Sequence, residues 1–375
     1  MDRDASDRDP VAGLLASAGR AGLATGFVGL AVRDDGRGRC WCAGVRRCGG
    51  EAVEAGVQFD LASLAKPLAT TTLLLLARRD GLDLAAPVSE VLPELAGTPW
   101  AAVTFLQCAT HTAGFPAWLP LYALGPATRA GYLESLRGAA PVGPPGARVE
   151  YSCLGFIAIG LALERAGGAD LATLFRELVA EPLGVADEVG FAPRDGTPVA
   201  AGESQWFVEV GLLAERGLAG RPPAAPAGVV PCDDGNARGL GGAAGNAGLF
   251  GTAAAVARIA AEYLPGGGEL IDGEEADLAT RCLTPGLEQA RALGWQLAAT
   301  PGCSAGPALP PEAFGHAGFT GTSVWVDPGE RLVLALLANR LHPGGREGDL
   351  HPLRRRFHDL ARRTLADTGT AGGEP

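Results

Sequence analysis

The alternation of apolar and polar residues predicts β-strands near both ends of the chain. Residues 27–33 and 39–45 are separated by an Asp-Asp-Gly turn signal, which is typical of a β-hairpin. Residues 321–327 and 331–338 flank an Asp-Pro-Gly-Glu turn and predict a second hairpin. The strands are therefore expected in two groups that lie far apart in the sequence.

Helical patterns occupy the middle of the chain and its last segment. Apolar residues recur at helical spacing over residues 11–21, 154–166, 171–179 and 353–366. A further helix is predicted over residues 63–79, where an Asp-Gly pair ends it. Its four consecutive leucines leave it without a polar face, so we expect this helix to be buried.

Strands at both ends with helices between them predict an α+β fold. We expect one antiparallel sheet that is built from both termini and flanked by helices, with a mostly helical inserted subdomain. Residues 11–80 and 245–375 are predicted to form the subdomain with the sheet, and residues 81–244 the helical subdomain. The active site is expected between them.

Three other segments have distinctive compositions. Residues 1–10 are expected to be disordered, and residues 217–231, which are rich in Gly, Pro and Ala, to form a surface loop. The glycine-rich residues 239–248 lack the Gly-Lys-Ser/Thr end of a phosphate loop. They therefore predict a close approach of this backbone to another element or to a ligand, and no cofactor is expected.

Composition and charge limit the possible partners. The formal net charge of -11 argues against nucleic acid or an anionic membrane surface as a partner. No apolar run has membrane-spanning length, and the first ten residues lack a secretory signal pattern. We therefore expect a cytoplasmic protein with reduced cysteines. Cys40, Cys42 and Cys48 cluster without zinc-site spacing, so no metal site is expected.

One lysine marks the candidate catalytic segment. Lys66 is the only lysine in the chain, which otherwise uses arginine. Unlike arginine, a desolvated lysine can lose its proton and act as a base. Ser63 lies three residues earlier, so a helix would place the hydroxyl and the amine on one face. This arrangement indicates an activated serine, and we expect burial to lower the pKa of Lys66.

Two further motifs complete a recognisable set. A Tyr-Ser-Cys motif at residues 151–153 precedes a predicted helix, and a His-Ala-Gly motif at residues 316–318 precedes a predicted strand. With the Ser-x-x-Lys motif that begins at Ser63, the chain resembles the serine β-lactamase-related family of class C β-lactamases, DD-peptidases and esterases. The resemblance covers residues 26–360 and implies a small-molecule acyl substrate.

The resemblance implies a role for each motif. Ser63 is the residue that becomes acylated, and Lys66 and Tyr151 share the general-base and general-acid work. The backbone N–H groups of Ser63 and Phe319 would bind the oxyanion. The other substrate-side positions are His316, which stands where penicillin-recognising enzymes have lysine, together with Gly318 and Cys153.

Three residues depart from the family's pattern. Cys153 stands where the family has an asparagine that binds a substrate carbonyl, and a thiol is a weak hydrogen-bonding partner. Cys232 and Asn246 stand where closer relatives have histidine. These departures favour a small ester as the substrate. The alternatives are a D-Ala-D-Ala-type peptidase or β-lactamase, and a non-catalytic binding protein that retains the fold. His111 is interpreted as structural.

Overall fold

The computed structural model describes residues 9–193, 196–202, 207–220, 222–224, 230–342 and 348–368. Most of the segment predicted to be disordered, residues 1–10, lies outside the described residues, as does part of the predicted surface loop at residues 217–231. Among the described residues, no helix combines the length and the apolar character needed to cross a membrane.

Six strands form the main antiparallel sheet. In sheet order they are β2 Gly38–Gly44, β1 Gly26–Arg33, β9 Leu332–Ala338, β8 Ser323–Asp327, β7 Phe314–Ala317 and β6 Gln296–Leu297. The pairing of β1 with β9 joins the two ends of the chain, with Leu30 of β1 opposite Ala335 of β9. Both predicted hairpins are present, and the predicted sheet built from both termini is confirmed.

A second, small sheet consists of three two-residue strands, β3 Phe59–Asp60, β5 Phe250–Gly251 and β4 Val189–Gly190. β3 pairs with β5, and β5 pairs with β4, so this sheet joins three segments that are distant in the sequence. Because β3 ends three residues before Ser63, the small sheet fixes the approach of the chain to the candidate nucleophile.

Helices surround both sheets. They are α1 Pro10–Arg20, α2 Thr72–Arg79, α3 Phe105–Ala109, α4 Leu121–Leu124, α5 Arg129–Gly138, α6 Cys153–Gly167, α7 Leu171–Phe175, α8 Phe207–Glu215, α9 Gly235–Gly239, α10 Ala253–Ala261, α11 Gly273–Thr280 and α12 His351–Thr368. Together with the sheets they confirm the predicted α+β fold. The division into two subdomains stays a prediction.

The main sheet separates two apolar cores. On one face, α1 and α12 cover the strands, and the ring of Trp41 meets that of Phe357 at 6.3 Å. Gly29 belongs to this face, where a Cβ atom would lie 2.5 Å from the Phe357 ring. On the other face, Val28 and Leu337 belong to a larger core that includes α2, α6 and α10. Burial of both faces provides the main driving force for folding.

The helix predicted over residues 63–79 has three parts. A 3-10 turn, Ala62–Leu64, is followed by a π-helical turn, Lys66–Thr71, and then by α2. The widened turn places carbonyl groups within reach of side chains: the Tyr263 hydroxyl donates to the carbonyl oxygen of Pro67 at 3.2 Å. All four leucines of α2 are buried, as predicted. A π-turn in such a helix frequently accompanies a functional site.

The glycine-rich segment brings two backbones into contact. A Cβ atom on Gly245 would lie 1.9 Å from the carbonyl oxygen of Phe156, so only glycine fits against α6 at this position. The predicted close approach is therefore present. Its consequence is that Asn246, the next residue, lies against the segment that carries Ser63 and Lys66.

Candidate active site

The segment before Ser63 is bent sharply. Ala62 has a φ of +48°, a left-handed conformation that costs energy for a residue with a Cβ atom. The buried Asp60 carboxylate holds this bend, because it accepts hydrogen bonds from the backbone N–H of Ala62 at 2.8 Å and of Asp233 at 2.6 Å. The bend places Ser63 on the wall of a cavity.

Lys66 lies at the centre of the site and is fully buried. Its ammonium nitrogen Nζ lies 3.0 Å from Ser63 Oγ and 3.0 Å from the backbone carbonyl oxygen of Asn246. A third, weaker contact joins Nζ to Cys153 Sγ at 3.6 Å. The lysine can therefore donate a hydrogen bond to the serine oxygen while its remaining protons are also satisfied.

The expectation that burial lowers the pKa of Lys66 is wrong. Burial does act in that direction, but the side chains of Cys153, Tyr151 and Asp234 outweigh it and raise the pKa above its ordinary value. Lys66 is therefore an ammonium group when no substrate is bound. This ammonium group donates a charged hydrogen bond to Ser63 Oγ.

Tyr151 lies in a ring of basic side chains. The ring centres of His111 and His316 are 4.5 and 5.7 Å from its own centre. Lys66 Nζ lies 5.0 Å from the Tyr151 ring, and the guanidinium carbon of Arg291 lies 5.6 Å from it. Lys66 and Arg291 would therefore stabilise negative charge on the tyrosine oxygen.

The loop after β7 is fixed against the nucleophile segment. The Thr320 hydroxyl donates to the carbonyl oxygen of Asp60 at 2.7 Å, and the Thr322 hydroxyl donates to that of Leu61 at 3.1 Å. Gly318 is required here because a Cβ atom would lie 2.7 Å from the Leu61 oxygen. This contact carries Phe319, whose side chain is 49% exposed, to the wall of the same cavity as Ser63.

The two predicted histidines lie behind Tyr151. His316 Nδ1 lies 2.9 Å from the carbonyl oxygen of Ala317, and its Nε2 is buried with no hydrogen-bonding partner among the described residues. Burial, followed by the positive charges of Lys66 and Arg291, lowers the pKa of His316 well below its usual value, so the ring is neutral. His111 Nδ1 accepts a hydrogen bond from the backbone N–H of Ser152 at 3.1 Å, which agrees with a structural role.

Sequence reasoning missed Asp234, which is half-buried and interacts electrostatically with Lys66. Its carboxylate accepts from the backbone N–H of Ala237 at 2.7 Å, where it caps α9, and from Asn246 Nδ2 at 3.0 Å. The Asp-Asp-Gly sequence at residues 233–235 indicates only a turn or a helix start, so nothing local marks Asp234 as part of the site. Asn246 fixes Asp234 with its side chain and Lys66 with its carbonyl group.

A cavity of about 260 Å³ opens in front of Ser63. Tyr151, Cys153 and Phe319 share its wall with Ser63, whereas Lys66, His316 and Gly318 do not line it. The described residues that line it are Ala62, Ser63, Trp118, Tyr151, Cys153, Val208, Glu209, Leu212, Asp233, Asp234, Ala247, Phe319, Thr320 and Leu341. Cys232 is buried outside the cavity wall and contacts the carbonyl oxygen of Asp234 at 3.7 Å.

Helix α8 forms much of the apolar side of this cavity. Val208 and Leu212 are four residues apart and line it together. The carboxylate of Glu209 holds the helix in place, because it accepts hydrogen bonds from the Tyr122 hydroxyl at 2.9 Å and from the backbone N–H of Gly235 at 2.8 Å. This helix therefore contributes apolar surface to the same cavity that Ser63 lines.

The fold and the site together define the class of protein. A serine hydroxyl held by a buried lysine, beside a tyrosine and the edge of an antiparallel sheet, is the arrangement of a serine hydrolase. A family model described as Beta-lactamase matches residues 10–358. The chain belongs to this family, which confirms the resemblance inferred from its motifs.

Two curated relatives match different lengths of the chain. The Escherichia coli K12 protein named "Putative D-alanyl-D-alanine carboxypeptidase" is 27% identical over 314 residues, which are 76% of this chain and 70% of the relative. Esterase EstB from Burkholderia gladioli is 35% identical over 156 residues, which are 37% of this chain and 40% of the esterase. The chain therefore spans only part of the length of either relative.

Solved structures share the fold over nearly the whole chain. EstCE1, a hydrolase with promiscuous acyltransferase activity, has a TM-score of 0.71 at 22% identity and covers 94% of this chain and 97% of its own. A class C beta lactamase from Rhodobacter sphaeroides has a TM-score of 0.69 at 19% identity and covers 95% of this chain and 99% of its own. These similarities support the fold assignment.

Proposed function

We propose that the protein forms an acyl-enzyme on Ser63 from a small ester and passes the acyl group to water or another small acceptor. The observation that carries this proposal is the 3.0 Å contact between Ser63 Oγ and Lys66 Nζ, with the lysine fully buried. A serine that only caps or packs does not need a buried ammonium group, which is costly to desolvate.

The raised pKa of Lys66 assigns the proton transfer to Tyr151. As Ser63 Oγ attacks the ester carbonyl carbon, its proton passes to the tyrosine oxygen while the tyrosine's own hydroxyl proton moves to the alkoxide oxygen of the ester, and the Lys66 ammonium stabilises the serine oxygen. The backbone N–H groups of Ser63 and Phe319 bind the developing oxyanion. The alcohol leaves with the proton that Tyr151 gave up, and the tyrosine keeps the proton from Ser63. In the second half, water attacks the acyl carbonyl carbon and gives a proton to the tyrosine oxygen, while the tyrosine's hydroxyl proton passes to Ser63 Oγ as the carboxylic acid leaves.

The cavity supports an ester with a short apolar acyl group. Its wall of Trp118, Val208, Leu212 and Leu341 offers apolar surface, and its volume of about 260 Å³ limits the group that fits. Cys153 occupies the position where an amide side chain would bind a substrate carbonyl or N–H group. The names of two similar proteins, an esterase and a hydrolase with acyltransferase activity, are in accord with this substrate class.

A fluorophosphonate probe tests the nucleophile. We expect one adduct per chain, at Ser63, because the ammonium group of Lys66 donates a hydrogen bond to this serine oxygen. Peptide mapping after labelling distinguishes Ser63 from Ser152, the serine next to Tyr151, and Ser63→Ala should abolish labelling. Labelling at Ser152, or none at all in folded protein, would contradict the mechanism and favour the non-catalytic binding protein.

Substitution of Cys153 tests the substrate class. We expect turnover of short p-nitrophenyl esters with little cephalosporin hydrolysis, because an unpaired buried polar group of an amide substrate costs about 1–3 kcal/mol. Cys153→Asn should raise kcat/KM for the cephalosporin relative to the ester by about tenfold, which corresponds to one restored hydrogen bond. A wild-type protein that prefers the cephalosporin would favour the β-lactamase alternative instead. An unchanged ratio would show that position 153 does not select the substrate.

A further inference from the structure

Arg291 is a buried cation that approaches Tyr151 from a separate segment of the chain. It is only 6% exposed, and its guanidinium carbon lies 5.6 Å from the centre of the Tyr151 ring. The segment is held in place by Thr284, whose hydroxyl accepts from the backbone N–H of Arg291 at 2.9 Å and donates to the carbonyl oxygen of Gln289 at 2.7 Å. The guanidinium therefore has a fixed place beside the tyrosine.

The hydrogen-bonding partner of this guanidinium is neutral. Its Nε and Nη2 atoms both donate to Gln289 Oε1, at 3.2 and 2.6 Å. Within the described ranges, no carboxylate lies within ion-pair distance of Arg291. Burial lowers the pKa of Arg291 to about 10, which leaves it charged at neutral pH, and the Tyr151 side chain opposes that shift. A buried cation without a counter-charge is costly, so its place beside Tyr151 indicates a use for positive charge there.

Other charged and titratable groups lie on or near the elements that surround Tyr151. They are Lys66, His111, Glu150, Cys153, Asp234, Glu288 and His316. Burial lowers the pKa of both His111 and His316 well below its usual value, so neither ring adds positive charge at neutral pH.

The remaining groups have partners of their own. Glu150 forms an ion pair with Arg148 at 3.2 Å, and the exposed Glu288 accepts from the backbone N–H of Val149 at 2.9 Å. Lys66 interacts with Ser63, Cys153 and Asp234. Among the described residues, Arg291 is therefore the cation that faces Tyr151 without a counter-charge.

We propose that Arg291 is a positioning residue for the acyl transfer, which acts through Tyr151 by favouring negative charge on the tyrosine oxygen. This inference rests on the proposed function. The tyrosine gives its own proton to the leaving alkoxide and takes one from Ser63, so its oxygen carries partial negative charge whenever the first proton moves ahead of the second. Arg291 stabilises that state from outside the cavity, because it is not one of the residues that line the cavity.

The expected size of the effect follows from the distance. A phenol oxygen lies about 2.8 Å from the centre of its ring, so the guanidinium carbon is within about 8 Å of the Tyr151 oxygen in any orientation. At an effective dielectric constant of about 20, a unit charge at about 8 Å shifts an ionisation by about 1.5 pH units. Partial charge in a transition state gives a smaller effect, about tenfold in rate.

Ionisation of Tyr151 tests the interaction without turnover. Burial raises the pKa of the other three tyrosines in the chain, which are Tyr122, Tyr132 and Tyr263. The ultraviolet absorbance of tyrosinate, with Tyr151→Phe as the blank, therefore isolates Tyr151. We expect its midpoint to rise by about one pH unit in Arg291→Met, which removes the charge, and in Gln289→Glu, which adds a carboxylate beside the guanidinium.

Two matched variants separate charge from packing. Arg291→Lys keeps a positive charge, and Gln289→Met removes the hydrogen-bond acceptor without adding a charge, so the midpoint in each should stay within about 0.3 pH unit of wild type. Thermal unfolding shows whether each variant is folded. An unchanged midpoint in Arg291→Met and Gln289→Glu, or an equal shift in all four variants, would overturn the proposal.

Kinetics of the same variants test the role in acyl transfer. Arg291→Met and Gln289→Glu should each lower kcat for a short alkyl ester about tenfold and leave KM within about twofold, because the interaction strengthens only in the transition state. Arg291→Lys and Gln289→Met should keep most of kcat. A shifted midpoint with unchanged kcat would overturn the role of Arg291 in the reaction. A wild-type protein that neither hydrolyses esters nor labels at Ser63 would instead contradict the proposed function itself.

Discussion

At the scale of single residues, the pKa of Lys66 differs from the expectation drawn from its sequence. Its uniqueness in the sequence and its spacing from Ser63 predicted that the two side chains would meet, and their polar atoms are 3.0 Å apart. The sign of its pKa shift could not be predicted, because the groups that determine it, Tyr151, Cys153 and Asp234, come from segments about 85 to 170 residues away. In the proposed mechanism, Lys66 therefore stabilises charge and does not accept a proton.

Replacing Lys66 tests this role. Lys66→Met removes the charge and leaves Ser63 Oγ and the Asn246 carbonyl without their donor, so kcat for an ester should fall by about 10²–10⁴-fold. Lys66→Arg keeps the charge, but its planar guanidinium does not match contacts made by a fully buried ammonium, and we expect a similar loss.

For both Lys66 variants, the rates of ester hydrolysis and of fluorophosphonate labelling are measured, and thermal unfolding shows whether each variant is folded. An arginine variant that keeps most of its activity would show that positive charge alone is sufficient. If Lys66→Met keeps most of its activity, Lys66 is not needed for the mechanism.

At the scale of elements, the site depends on how two segments meet. The loop after β7 contacts the nucleophile segment through the hydroxyls of Thr320 and Thr322. The sequence predicted a strand and a turn here, and both are present. It could not predict the contact, because hydrogen bonds that span about 260 residues leave no local pattern.

Thr320 offers a test of this contact. Thr320→Val keeps the shape but removes the donor to the Asp60 carbonyl, so we expect a loss of about 1 kcal/mol in stability and a lower kcat for ester hydrolysis. Thr320→Ser keeps the hydroxyl and should retain most of the activity. If Thr320→Ser and Thr320→Val lower kcat equally, the hydrogen bond does not position the loop, and the methyl group that serine lacks is needed instead.

The helix after Ser63 has one feature that the sequence pattern predicted and one that it did not. The leucine run predicted a buried helix, and all four leucines of α2 are buried. The periodicity did not predict the π-helical turn at Lys66–Thr71, since one extra residue per turn changes the pattern very little. The hydroxyl of Tyr263, which stabilises this turn through the Pro67 carbonyl, is almost 200 residues away in the sequence.

At the scale of the whole molecule, Asp60 joins three distant parts of the chain. Its carboxylate accepts from Ala62 and Asp233, and its own carbonyl accepts from Thr320. Burial raises the pKa of Asp60 to about 6, although the two N–H groups oppose the shift. The folded protein therefore binds this proton more tightly than the unfolded chain does.

The raised pKa predicts a pH-dependent stability. The contribution of Asp60 is complete below its unfolded pKa of about 3.8 and is lost as the pH rises through about 6, a change of about 3 kcal/mol. Denaturant unfolding between about pH 4 and about pH 7 measures it, by comparison of wild type with Asp60→Asn. The difference in unfolding free energy between the two proteins should shrink as the pH rises, and a constant difference would contradict the raised pKa.

The order of the strands in the main sheet has a consequence for synthesis of the protein on the ribosome. β1 ends at Arg33, but its central partner β9 begins only at Leu332. At about 5–20 residues per second, the hairpin of β1 and β2 waits about 15–60 s for that partner, and an isolated hairpin is at best marginally stable. The nascent chain carries Ser63 and Lys66 early, but Phe319 is added about 250 residues later, so the cavity wall that Ser63 and Phe319 share cannot form before then.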